Sequence, residues 1–194
     1  MRVLNRKIHL TALALAVIAL VCMGAGQAFA QLTDQEKTEI QAAAASGDTA
    51  AVEAAIKKLM KRAMADGEYP DTIARQASSA AILAAIEAGQ DFAAIATAAS
   101  IGATSGAIEA ATDMNQDVVA AAEAASFGAR TGAVQAAQRT GQDVAALEQA
   151  SLQGSQPLVE WAKQEFAIET PEFEPQPEPE EPMTEDTQDP SPSA

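Results

Sequence analysis

Beyond residue 30 the sequence contains neither histidine nor cysteine, because His9 and Cys22 are the single copies of each. That absence excludes thiol catalysis, disulfide staples, a Ser-His-Asp triad and any imidazole or thiolate metal centre from the rest of the chain. Aromatic residues are scarce too, at 4% of the total, so a core must be assembled mainly from small aliphatic side chains. Positive charge is the third shortage: 12 Lys and Arg face 27 Asp and Glu, for a net charge of -15. A phosphate backbone is a poor partner for that balance, and nucleic acid is not expected. Only carboxylate or Ser/Lys chemistry would remain for an enzyme, and no spacing concentrates those groups. No catalytic residue and no cofactor is assigned.

What is present divides into three stretches. Arg2, Arg6 and Lys7 precede an apolar run from Leu10 to Met23, and Ala28-Phe29-Ala30 puts small residues where a signal peptidase reads. Residues 1–30 are therefore expected to be a secretory signal peptide cleaved after Ala30, which places the mature chain in the periplasm or outside the cell. Cys22 suggests a lipoprotein, but Val21 stands where such signals carry a small residue, and lipidation is not expected. An apolar run of about 14 residues is also short of the ~20 that span a bilayer. Processing leaves 9 basic residues against 27 acids, a mature charge of -18. At the other end, residues 169–194 hold seven of the nine prolines and nine acids, with no Lys or Arg. That composition cannot offset its ordering entropy, so this stretch is expected to be a disordered, extended acidic tail.

Between them the glycines keep a beat. Gly89, Gly102, Gly128, Gly141 and Gly154 fall on a thirteen-residue grid whose one missing tick is Asn115, the usual substitute for glycine in the left-handed conformation. Two places after the ticks stand Asp91, Thr104, Asp117 and Asp143, all good helix N-caps, with Thr131 serving the unit that carries Arg130. Alanine recurs five places after each of the first five ticks (94, 107, 120, 133, 146) and again nine places after. One turn apart on a helix, these alanines define a face through which helix axes can approach closely. Gln90-Asp91, Gln116-Asp117 and Gln142-Asp143 are spaced by twenty-six, and IGATSGAIEAA (101–111) matches FGARTGAVQAA (127–137). The expected fold is all-α: a solenoid of short-helix αα-hairpins, with 13-residue helical units of about ten helical residues in a 26-residue repeat. Longer N-terminal helices occupy 31–67, the short repeats 71–154 and a capping helix 155–168. In that cap Pro157 fits a first turn and Trp161 plugs the core.

Two alternatives arise from the same residues. The uncharged stretch 92–108 and the pairs Gly102/Gly106 and Gly128/Gly132 are also the pattern of membrane helices, although interspersed Thr and Ser make it only mildly apolar. Membrane contact is thus allowed, but not spanning. TDMNQD (112–117) offers Asp113, Asn115 and Asp117 as calcium ligands, but Val118 and Ala124 stand where a calcium loop needs Gly and a bidentate acid, so the site is rejected.

The function expected is a non-catalytic interaction module of the bacterial envelope that receives a protein partner. Self-association as a structural or matrix protein is the alternative. One candidate surface is a smooth strip formed by Ala93, Ala96, Ser100, Ala122 and Ser126, pointing away from the core. A second is the basic cluster Lys57, Lys58, Lys61 and Arg62, able to grip an anionic lipid, a glycan or the acidic tail. Because each alanine buries a single methyl, worth about 0.8 kcal/mol, the fold is expected to be marginal and its stability dependent on concentration.

Overall fold

The computed structural model describes residues 32–166, so the expected signal peptide and acidic tail lie outside the described residues. Within them the chain is all-α. Six helices follow one another: α1 (Asp34–Ala45), α2 (Thr49–Ala65), α3 (Pro70–Glu87), α4 (Phe92–Asp113), α5 (Val118–Thr140) and α6 (Val144–Glu165).

All five turns are built the same way. A residue with positive φ (Gly47, Gly67, Gly89, Asn115 or Gly141) follows each helix. The next N–H then reaches back to the last turn: Asp48 to the Ala43 carbonyl, Glu68 to Ala63, Gln90 to Ala85, Gln116 to Ala111 and Gln142 to Ala137. This is the Schellman closure, which satisfies carbonyls the helix end would otherwise leave open. In four turns the following helix opens on an aspartate whose carboxylate accepts from first-turn amides: Asp48, Asp91, Asp117 and Asp143. At α3, Tyr69 makes no side-chain cap and Pro70 takes the first position instead, where its missing N–H costs nothing. Thr33 and Glu36 close a capping box on α1.

The helices are longer than the thirteen-residue reading expects. α4, α5 and α6 run 22, 23 and 22 residues, so one helix and one turn fill each twenty-six-residue interval. Alternate ticks do different work. Gly89, Asn115 and Gly141 turn the chain, whereas Gly102, Gly128 and Gly154 sit inside helices without positive φ. Short-helix hairpins are thereby replaced by single long helices, and Thr104, expected as an N-cap, is buried in the middle of α4. Pro157 likewise lies within α6 rather than at its start.

The interior glycines are explained by packing. Each helix packs on the next helix and, except at the ends, on the next but one, which gives two rows, α1–α3–α5 and α2–α4–α6. Within a row the axes come so close that glycine meets backbone. A Cβ at Gly102 would lie 2.5 Å from the Glu53 carbonyl of α2, and one at Gly106 2.8 Å from Met60. Gly128 and Gly132 press on the Asp71 and Arg75 carbonyls of α3, and Gly154 on that of Thr97 in α4. Glu53 and Lys57 of α2 meet Gly102 and Gly106 of α4, and Asp71 and Arg75 of α3 meet Gly128 and Gly132 of α5, so the residues of each of these two pairs ascend together and the helices run parallel. α5 buries one valine and otherwise only alanine and glycine; the largest fully buried side chains, Ile40, Ile56, Leu59, Met60, Ile73, Ile82, Ile95 and Leu147, belong to the other five helices.

Among the described residues one helix, α4, is long and apolar enough to cross a membrane, and it lies in the middle of the stack with 61% of its apolar window buried. Its glycine pair serves a helix crossing inside the protein.

Candidate functional site

The predicted strip of small residues is not on the surface. Ala96, Ser100 and Ala122 are fully buried, and Ala93 and Ser126 are half-buried. The hydroxyls stitch α6 to its neighbours: Ser100 pairs with Ser151 at 2.6 Å, Ser126 donates to Ser155 at 2.7 Å, and Thr97 donates to the Ala150 carbonyl at 3.0 Å. The strip is buried because α6 lies over it: Thr97 and Ser100 of α4 meet Ala150, Ser151 and Gly154.

The basic cluster is consumed internally. Lys57 and Lys61 both pair with Glu109 of α4, and Lys61 also reaches Asp113 at 3.3 Å. Lys58 pairs with Glu39 at 3.5 Å. Arg62 holds Glu36, Asp66 and Glu68 at 2.9, 3.2 and 2.9 Å, tying α1, α2 and the turn before α3. These contacts shift the acidity of the groups they join. The Lys57 ammonium beside Glu109, with Lys61, outweighs burial and holds that carboxyl below its ordinary value. At Glu36 burial pushes upward, but hydrogen bonds from Thr33 and Arg62 prevail and lower it. Asp113 and then Glu109 raise the Lys61 ammonium.

The three residues of the calcium-like motif have separate local tasks. Asn115 takes φ 53° in the turn, Asp117 accepts from the Ala120 amide at 2.9 Å, and Asp113 faces Lys61. No group of three acidic side chains able to hold a metal occurs among the described residues.

What the sequence did not announce is where the aromatics go. Tyr69, Phe127 and Trp161 are the exposed large hydrophobic residues, at 75%, 56% and 46%, and Phe92 and Phe166 are half-buried. No aromatic in the described residues is buried, and Trp161 is not the core plug expected of it. It meets Phe166 edge-on at 5.7 Å. Phe127 carries the Arg130 guanidinium over its ring at 5.7 Å. Tyr69 and Pro70 line an apolar groove of about 410 Å³ against Ala120 and Ala124 of α5. Phe127 stands one turn beyond Ala124, next to the Gly128–Asp71 crossing. Tyr69 and Phe127 therefore belong to one side of the α3–α5 row. A signal for this was available: alanine and glycine at 125, 128, 129 and 132 leave no room for a ring on the packed side.

The fold and these surfaces define an all-helical protein with an alanine-rich aliphatic interior and surface aromatics. No family model, curated protein or solved structure matches the chain.

Proposed function

We propose that the protein is an exported, non-catalytic helical module that binds another protein through its surface aromatic side chains. The observation that carries this is the inverted placement of its rings: a core of small aliphatics, with Tyr69, Phe127 and Trp161 outside. Aromatics are the side chains most often found as anchors at protein interfaces, and exposing them is unfavourable unless something covers them. Export rests on the sequence of residues 1–30 and its Ala28-Phe29-Ala30 site. The architecture suits the role if the two rows are read as an open α-solenoid with a one-helix, twenty-six-residue unit. Such a stack ends at α5 and α6, which carry two of the three exposed rings.

Self-association is the second reading, favoured by that same location, since two copies meeting at their last helices would cover Phe127 and Trp161 together. Photo-crosslinking amino acids placed at 69, 127 and 161 in cells distinguish the two, with exposed Gln149 as control. A discrete adduct with another protein at the aromatic positions supports the proposal, and an adduct of two copies supports self-association. Labelling no stronger than at 149 would sink both.

A further inference from the structure

Six of the nine Lys and Arg among the described residues are engaged in the ion pairs of α2, α5 and α6. The other three, Lys37, Arg75 and Arg139, make no ion pair among the described residues, and all three line one groove of about 660 Å³ where α1, α3 and α5 meet. In a chain with more than twice as many acids as bases, cations left without acids are the exception. Having every one of them in a single groove marks a place built to receive negative charge. Asp34 and Glu87 also line it, and Leu83 adds an apolar patch, so the opening is mixed in character with a cationic excess.

We propose that this groove docks the chain's own acidic C-terminal segment, residues 169–194. Charge is the first argument, since nine acids without a base meet the three unpaired cations. Reach is the second. Twenty-eight residues follow Phe166 and, at about 3.1 Å each when extended, they cover up to roughly 87 Å. The longest helix, α5 at 23 residues, is about 35 Å long. The segment can therefore pass along the whole body and still lay its Glu-rich half in the groove. Tethering is the third: a linked segment has an effective concentration in the millimolar range, enough to populate contacts that individually are weak.

The segment's own chemistry fits this kind of site. Seven prolines remove backbone donors, so recognition must come from carboxylates and apolar rings rather than from strand pairing. A groove between helices, whose backbone groups are already bonded, offers only side chains. The sequence had pointed to Lys57, Lys58, Lys61 and Arg62 as the tail's basic counterpart; their pairing with Glu36, Glu39, Glu109 and Asp113 transfers that role to Lys37, Arg75 and Arg139.

Carbodiimide coupling of the full chain tests it, because the reagent joins an amine to a carboxylate only in contact. Two isotopically distinct preparations are mixed at micromolar concentration, and the linked peptides are read by mass spectrometry. Links from residues 169–194 to Lys37, within one chain, are expected several-fold above links to Lys58, an amine whose side chain is itself 74% exposed. They should fall several-fold at about 0.5 M salt, where the Debye length drops below about 5 Å, and in an Arg75→Gln/Arg139→Gln variant shown to be helical. Equal coupling at Lys58, indifference to both salt and the arginines, links only between chains, or no link from the segment to Lys37 overturns the proposal.

Discussion

Glycine has two occupations in this chain, and a single added methyl tells them apart. At Gly128 a Cβ meets the Asp71 backbone, which cannot turn aside as a flexible side chain can. Alanine there is expected to destabilise by about 3 kcal/mol, since overpacking outweighs the ~1 kcal/mol that alanine gains in a helix interior. At Gly89 nothing lies within 4 Å of a Cβ and the cost is the positive φ alone, so alanine is expected to cost about 1 kcal/mol. Urea denaturation of the two variants gives both values. Thr104 offers the opposite sign. Its hydroxyl is fully buried and without a partner, so Thr104→Val is expected to stabilise by about 1 kcal/mol by removing an unsatisfied polar group. A lower unfolding midpoint in that variant would mean the hydroxyl has a partner after all.

At the scale of the helix, the sequence is legible where two signals coincide and misleading where one stands alone. Turns at 89, 115 and 141 carry both a left-handed residue and a Gln-Asp pair that leads into the cap, and each is a turn. Ticks at 102 and 128 are followed by alanine and by a second glycine four residues on, which is the pattern of a close crossing rather than of a helix end. A thirteen-residue grid cannot separate these, because it records that a side chain is absent and not why. The ion pairs between α2 and α4 were invisible for a related reason: Lys57 and Glu109 meet only once α4 is known to run unbroken to Asp113. They set a pH dependence. The Glu36 and Glu109 carboxyls are lowered in the folded chain, so their contribution is complete above the ordinary glutamate pKa of about 4.3 and is lost as pH falls through the lower folded values. Glu109→Gln is expected to be less stable than the parent at pH 7, with the difference closing as pH falls below about 4. A gap that persists there would show that the glutamate acts by packing.

For the whole molecule, the class of fold was readable from the caps and the alanine spacing. The surface was not, because deciding which residues a long helix exposes requires knowing which neighbours it has. The strip that looked smooth and available, Ala96, Ser100 and Ala122, is buried, and Trp161, assigned to the core, is outside with Phe127. A protein whose interior is closed by methyl groups and glycine crossings has little use for a ring inside, and its rings are free to meet something else. The most direct measurement is made on a Phe127→Ser/Trp161→Ser double variant, comparing its denaturation midpoint and its crosslinking through position 69 with those of the parent. The account predicts an unfolding free energy within about 1 kcal/mol of the parent and loss of the crosslinked partner. A fall of about 3 kcal/mol or more, the cost of removing a core aromatic, or capture that continues undiminished in the folded variant, would contradict it.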